Sequence, residues 1–428
     1  MRFRSLSPAR LPGGLLALAG AGVILRLTLY PDPPQTAFAA LTPFSCLVCG
    51  ERGGADVVLN VLVFIPMAAG LRAFGWSWGR VVLFSAALSM VVESLQYGVI
   101  PGRDASLSDL LTNTTGGIIG GWIGARFAPI FAPGRALARQ LFLGGIAFWL
   151  ATTGAAAVAM RPWVAGGWLR NECTRSRTTP HRFIGTVRSM TIDSAPLPCD
   201  AEVKSAPPVL LALRRGEVRI DVTMNSVPAT RGQRVISVLQ SESGFALMLA
   251  QDGHSAAFTT PARANRFRLY SPVLRLPSAF PAQEGVPVEI AAGMHATRIW
   301  VQASRPGFRK RVDLALSPSF GWSLLLPWGL QEGGRLRVVT GLWIAGLLLP
   351  AAFWAGFLAR PLQGLGGLAI AVAGGLALLP WLTGYAPVHW SEWLAAGLAI
   401  GLGWALHRLA AYLQSRCGSP STSAYSSP

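Results

Sequence analysis

The chain has 428 residues, of which 51% are hydrophobic and 13% charged, and its mean hydropathy is +0.43. Ordinary soluble domains carry roughly 25% charged residues, so this sequence lacks the charge to coat a wholly water-facing surface, and its hydrophobicity excludes intrinsic disorder. The net charge of +18 is not a nucleic-acid footprint: Arg is scattered along the chain, and no basic run with interleaved aromatics occurs. No nucleic-acid partner is expected.

A membrane-spanning helix needs roughly 20 mostly apolar residues. Runs of this kind cover 11–30, 57–74, 81–100, 110–127 and 141–160. A long polar stretch follows, and three more runs cover 336–358, 362–382 and 390–413. The fold class expected is therefore mixed: an α-helical polytopic membrane bundle of eight spans, five plus three, with an inserted extracytoplasmic all-β jelly-roll sandwich. The expected division is 1–161 membrane, 162–335 sandwich, 336–413 membrane and 414–428 a disordered, Ser/Pro-rich tail. The first run follows Arg2, Arg4 and Arg10 as a signal peptide would. Its apolar core exceeds the roughly 7–15 residues of a signal core, so it reads as an uncleaved span.

Basic residues alternate across the spans. Arg72 and Arg80, then Arg126, Arg135 and Arg139, then Arg360, fall on the same side as the N-terminal arginines, and His407, Arg408 and Arg416 follow the last span. By the positive-inside rule both termini are cytoplasmic and the insert is outside. Cys46, Cys49, Cys173 and Cys199 then lie on the outer side. Cys173 and Cys199 frame the start of the insert and would form one disulfide in an oxidising compartment. Cys46 and Cys49 have the spacing of a redox or zinc half-site, but neither a strand–helix context nor a second ligand pair accompanies them, so a local disulfide is expected. No metal and no cofactor are expected.

Within the insert, Glu217–Met224, Arg234–Gln240, Phe245–Ala250, Ala256–Thr260, Phe267–Tyr270, Val286–Ala291, Thr297–Ala303 and Arg311–Leu316 are short and rich in Val, Ile, Leu, Phe and Thr. Asp252-Gly253 between two of them signals a type I′ hairpin. Many short strands joined by Gly, Pro and Ser turns, with no competing helical period, argue for a sandwich. The pattern from Arg234-Val235-Ile236-Ser237-Val238-Leu239 through Phe245–Gly253 to Gly321-Trp322 resembles the concanavalin-like, laminin-G-like jelly roll. That resemblance implies a glycan-binding type of domain, although a fold alone does not fix function.

Polar residues inside spans are costly and default to functional hypotheses. Asp56 and Asn60 are i,i+4 in the second span, Glu93 and Gln96 are i,i+3 in the third, and Asp109 and Asn113 are i,i+4 in the fourth. Each pair shares a helical face, and the topology sets all three near the outer leaflet. Arg103, between the third and fourth spans, would supply charge to the carboxylates or a fork for an anionic ligand group. Behind Asn113, Gly116, Gly120 and Gly124 form a small-xxx-small ridge with Gly117 and Gly121 beside it, which lets helix backbones approach closely. Pro66 would free a backbone carbonyl of the second span and kink it.

At these residues the chain resembles the VanZ-like family of bacterial membrane proteins. The pattern is Asp56-Val57-Val58-Leu59-Asn60 through Phe64-Ile65-Pro66, then Glu93-Ser94-Leu95-Gln96, Arg103, and Asp109-Leu110-Leu111-Thr112-Asn113-Thr114-Thr115-Gly116-Gly117. It covers about residues 10–130 and departs from the family where Met67-Ala68 replace the glycine after the proline. The resemblance implies a bacterial cytoplasmic-membrane protein of the cell envelope, linked to low-level tolerance of the glycopeptide teicoplanin, with no established chemistry.

Three functions compete for the cluster Asp56, Asn60, Glu93, Gln96, Arg103, Asp109 and Asn113. It binds an envelope lipid or a lipid-linked glycan precursor; or Glu93 and Asp109 do acid–base work on such a substrate; or the residues only satisfy one another, locking an anchor that presents the sandwich to a protein partner. No nucleophile elbow, zinc-protease motif or phosphate loop accompanies the carboxylates, and His181, His254, His295, His389 and His407 all lie outside the cluster. The expectation is a binding protein rather than an enzyme, with membrane lipids as its partners.

Overall fold

Small residues decide how the first helices meet. The computed structural model describes residues 10–29, 52–100, 106–173, 183–204, 206–228, 233–242, 244–326 and 328–417. Helices α1 (Arg10–Thr28), α2 (Gly53–Phe74), α3 (Trp78–Gly98) and α4 (Leu107–Ala125) come first, then the short α5 (Phe127–Phe131) and the long α6 (Arg135–Ala159). Helix α2 runs unbroken through Pro66 and packs on both α1 and α4. A Cβ at Gly120 of α4 would lie 2.5 Å from Ile65 O and 2.7 Å from Ala68 Cβ. Gly116 and Gly124 press on α2 in the same way, at Val61 and Ala69. Gly117 and Gly121 sit a third of a turn round and face Ser85 and Trp78 of α3. The other face of α2 meets α1, where a Cβ at Gly20 would come 2.7 Å from Met67 N and one at Gly70 2.6 Å from Gly13 O. Phe64, Met67 and Ile24 fill the space between and are at most 1% exposed.

The strands and helix of the insert follow: β1 (Arg170–Glu172), β2 (Val187–Ile192), β3 (Ala195–Pro196), β4 (Ala201–Glu202), α7 (Ala206–Arg215), β5 (Glu217–Asn225), β6 (Gln233–Ser241), β7 (Gly244–Asp252), β8 (Ser255–Thr259), β9 (Val273–Leu276), β10 (Pro287–His295), β11 (Arg298–Arg305) and β12 (Phe308–Ala315). They form two antiparallel sheets of six strands, ordered β4-β1-β6-β7-β8-β9 and β12-β11-β10-β5-β2-β3. The sheets touch through β8 and β9 on one side and β10, β11 and β12 on the other. Alternation along β5 and β10 sends Ile220, Val222, Met224 and Ile290 inward, where Leu249, Phe258 and Leu274 of the other sheet are also fully buried. The arrangement is a β-sandwich. Cys173 and Cys199 are disulfide-bonded, with Cα atoms 5.3 Å apart.

Three local expectations are corrected. Phe267–Tyr270 is not a strand: Arg263–Phe267 is a 3₁₀ turn, Arg268 has φ +52° and Tyr270 N–H donates to Leu324 O. A helix does occur in the insert, since α7 buries Val209, Leu210 and Leu213 on one face. Pro207 and Pro208 disguise it as a turn, but proline is tolerated in a first helical turn, where N–H groups are unpaired anyway. The β7–β8 hairpin is present but shifted by one residue. Asp252 pairs with Ser255, so Gly253-His254 is the turn, and only Gly253 has positive φ, as a type II′ turn requires.

The remaining helices are α8 (Gly334–Ala355), α9 (Pro361–Ala373), which passes through a π turn at Gly374–Leu378 into α10 (Leu379–Thr383), and α11 (Trp390–Cys417). By packing the chain divides into one unit of residues 1–127 and 156–336 and another of 128–155 and 337–428. In the second unit Trp149 of α6 is 1% exposed and packs with Leu348, Ala351, Leu368 and Ala399. Its ring occupies the space of the missing side chain at Gly375, within the π turn.

Among the described residues, seven stretches are long and apolar enough to cross a membrane, against eight expected: α1, α2, α3, α6, α8, the continuous Pro361–Thr383 and α11. The fourth expected span is helix α4, and its composition sets it apart. Ser108, Asp109, Thr112, Asn113, Thr114 and Thr115 fill its first half, and glycines dominate the rest. The apolar helices fit a multi-pass membrane protein.

Two outcomes follow. Gly120→Leu should sharply reduce folded protein in membranes, measured by fluorescence-detected size exclusion, through overpacking that costs about 1–3 kcal/mol or more; Gly22→Leu, with open space around its Cα, should not. Replacing Cys173 and Cys199 by Ser removes a link spanning 26 residues. It should lower unfolding stability by about 3 kcal/mol in the chain-entropy account, read as a fall in the melting temperature of the sandwich.

Candidate functional site

The polar pairs lie near the start of α2, the end of α3 and the start of α4. Ser106 organises that end. Its side chain caps α4 by accepting from Asp109 N–H (3.1 Å), and its own N–H donates to Glu93 Oε2 of α3 (2.9 Å). In an ordinary capping box the carboxylate three residues on would take that N–H. Here Glu93 takes it, and Asp109 Oδ1 accepts from Asn60 Nδ2 of α2 (2.6 Å). One turn deeper, Asn113 Nδ2 of α4 donates to Ser89 Oγ of α3 (3.0 Å). Gln96 Nε2 of α3 donates to Thr28 O at the end of α1 (3.0 Å).

Each bond joins two helices or a helix to its neighbouring loop, and the glycine contacts of α4 make the separations short enough. Asp56 and Asp109 also occupy the first turns of α2 and α4, where the helix dipole favours negative charge.

The expected residues therefore divide by accessibility. Glu93, Gln96 and Asn113 are buried, at 7%, 7% and 3% exposure. Asn60 and Asp109 are half-buried, and Asp56 is exposed. The structure joins Asn60 to Asp109 directly and brings Glu93 to them through Ser106. Gln96 and Asn113 bond elsewhere, to Thr28 and Ser89. Arg103, Cys46 and Cys49 lie outside the described residues. Sequence reasoning missed Ser106, Ser89 and Thr28. Only Ser106 carries a sequence signal, because Ser106-Leu107-Ser108-Asp109 is a Ser-x-x-Asp helix start.

It also missed the junction with the sandwich. The 3₁₀ turn Arg263–Phe267 and Arg268 lie against the first turn of α2: Ala55 N–H is shared between Arg52 O (2.9 Å) and Arg268 O (3.3 Å). A side chain at Gly54 would collide with Phe267 O. The Arg52 guanidinium lies 4.5 Å from the centre of the Tyr270 ring. The sandwich thus supplies an acceptor to a helix start that has no side-chain cap, one residue before Asp56.

Residues 21–128 match the family model VanZ/LLP1. The chain thus carries a VanZ-like domain, which takes in the C-terminal part of α1 and all of α2, α3 and α4. The sandwich and helices α6 and α8–α11 lie outside the match. No curated protein and no solved structure matches the chain.

Within the VanZ-like domain, Glu93→Ala should leave Ser106 N–H unpaired and lower stability by about 1–3 kcal/mol, whereas Glu93→Gln keeps an acceptor oxygen and should lose much less. Melting in detergent compares the two. Equal losses would mean that the Ser106 bond is not what Glu93 contributes.

Proposed function

We propose that the protein is a cell-envelope component of the bacterial cytoplasmic membrane. Its VanZ-like domain binds the polar headgroup of an envelope lipid or lipid-linked glycan precursor between the ends of α2 and α4 and the overlying sandwich. In this reading both termini are cytoplasmic and residues 162–335 are extracytoplasmic, as the alternation of arginines supports. The sandwich, laminin-G-like in its sequence pattern, faces the same envelope glycans. The observation that carries the proposal is the accessibility of Asp56, Asn60 and Asp109 at the helix ends on which the sandwich rests. Carboxylates and an amide at a bilayer surface can accept from and donate to hydroxyl and amine groups of a headgroup, and ionisable residues kept at membrane depth are expensive without such a use.

A second role, locking helices together, is favoured for Glu93, Gln96 and Asn113 by their burial and by their bonds to Ser106, Thr28 and Ser89. A carboxylate enclosed in that way is poorly placed to exchange protons with a substrate, which weighs against acid–base catalysis by the pair Glu93 and Asp109.

Asp56→Asn combined with Asp109→Asn should leave the amount of protein in the membrane near wild type while abolishing retention of co-purified native lipid, read by native mass spectrometry. A strain lacking the protein should lose teicoplanin tolerance, with wild type restoring it and the double variant failing to. Lipid retention unchanged by the double substitution would contradict the site.

A further inference from the structure

Three arginines lie on aromatic rings where the membrane helices meet the sandwich. Arg52, beside the start of α2, covers Tyr270 at 4.5 Å. Arg266, in the turn that rests on α2, covers Trp163, four residues beyond the end of α6, at 4.8 Å. Arg335, in the first turn of α8, covers Trp328 at 5.9 Å. Each pair thus marks a helix end, the level at which a bilayer surface would lie.

Three other arginines of the sandwich are paired with aspartate: Arg219 with Asp221 at 2.7 Å, Arg275 with Asp252 at 2.8 Å and Arg311 with Asp313 at 2.7 Å. Among the described residues, Arg52, Arg266 and Arg335 form no such ion pair. A guanidinium held against a ring face keeps N–H groups that match phosphate oxygens. Apolar side chains stand exposed beside two of these arginines, with Phe267 next to Arg266 at 65% and Trp328 under Arg335 at 46% exposure. Aromatic rings with a polar edge and arginines with long apolar stems are the groups that settle at a lipid interface.

We propose that Arg52, Arg266 and Arg335 form a collar that holds the phosphates of an anionic phospholipid leaflet, with Phe267 and Trp328 entering the headgroup layer. The collar seats the sandwich on the bilayer. This deepens the binding role proposed for the VanZ-like domain and rests on it only in placing the helix ends at the membrane surface. The collar takes phosphate, whereas Asp56 and Asp109 would repel it.

The test uses the full chain in nanodiscs of phosphatidylglycerol and phosphatidylcholine in equal amounts, followed by detergent release and native mass spectrometry of the lipids that stay bound. Wild type should retain phosphatidylglycerol in preference to phosphatidylcholine, less so at high salt. Arg266→Gln with Arg335→Gln should cut that preference by roughly tenfold or more, since a basic residue near an anionic surface contributes about fivefold. Arg266→Lys with Arg335→Lys should keep most of it, which separates lost charge from lost folding. Arg309→Gln with Lys310→Gln, at exposed positions of β12 outside both sites, should leave it unchanged, and the Gln variant of the collar purified from native membranes should still carry the native lipid of the acidic site, so failure of the collar and failure of the acidic site are read separately. Equal retention of the two lipids by wild type, or unchanged preference in the Gln variant, would overturn the proposal.

Discussion

The distance between helix backbones is the constraint on which the N-terminal part of this protein depends. Helix α2 lies between α1 and α4 with glycine or alanine at each crossing, so that neighbouring backbones come where a side chain would otherwise stand. In lipid the gain from such packing is dispersion and hydrogen bonding, because the tails around a helix are as apolar as the helix itself. Close approach is therefore both the source of cohesion and the condition for the short polar side chains of Asn60, Asp109, Asn113 and Ser89 to reach one another.

One helix end carries the consequences. Ser106 caps α4 and at the same time gives its N–H to Glu93, which ties α3 to the loop and frees Asp109 to accept from Asn60 of α2. The start of α2 in turn receives a carbonyl from the sandwich at Arg268. The VanZ-like domain and the insert so joined share a backbone hydrogen bond one residue from the exposed carboxylate of Asp56.

Much of this was legible in the sequence because it is periodic. Glycine at every fourth position announces a packing ridge, and the i,i+3 and i,i+4 polar pairs announce shared faces. The long strands β5, β6, β7, β10, β11 and β12 alternate or run apolar for long enough to be seen. What escaped reading has physical causes. Helix α7 begins with two prolines that look like a turn. The segment at Phe267–Tyr270 is rich in strand-forming residues, yet its contact with α2 sets its conformation. Helix α4 trades hydropathy for polar side chains and glycine, so that it packs with the membrane helices without the composition of one. Thr28 contributes a backbone carbonyl and Ser89 a single hydroxyl, and neither leaves a pattern in a sequence.

The most direct test of the claim that close packing of α2 and α4 brings their polar groups into a working bond is a double-mutant cycle on Asn60→Ala and Asp109→Ala, with unfolding free energy measured in bicelles. A bond across the glycine contact predicts that the second substitution costs less once the first is made, with a coupling of about 1 kcal/mol. Strictly additive losses would contradict it.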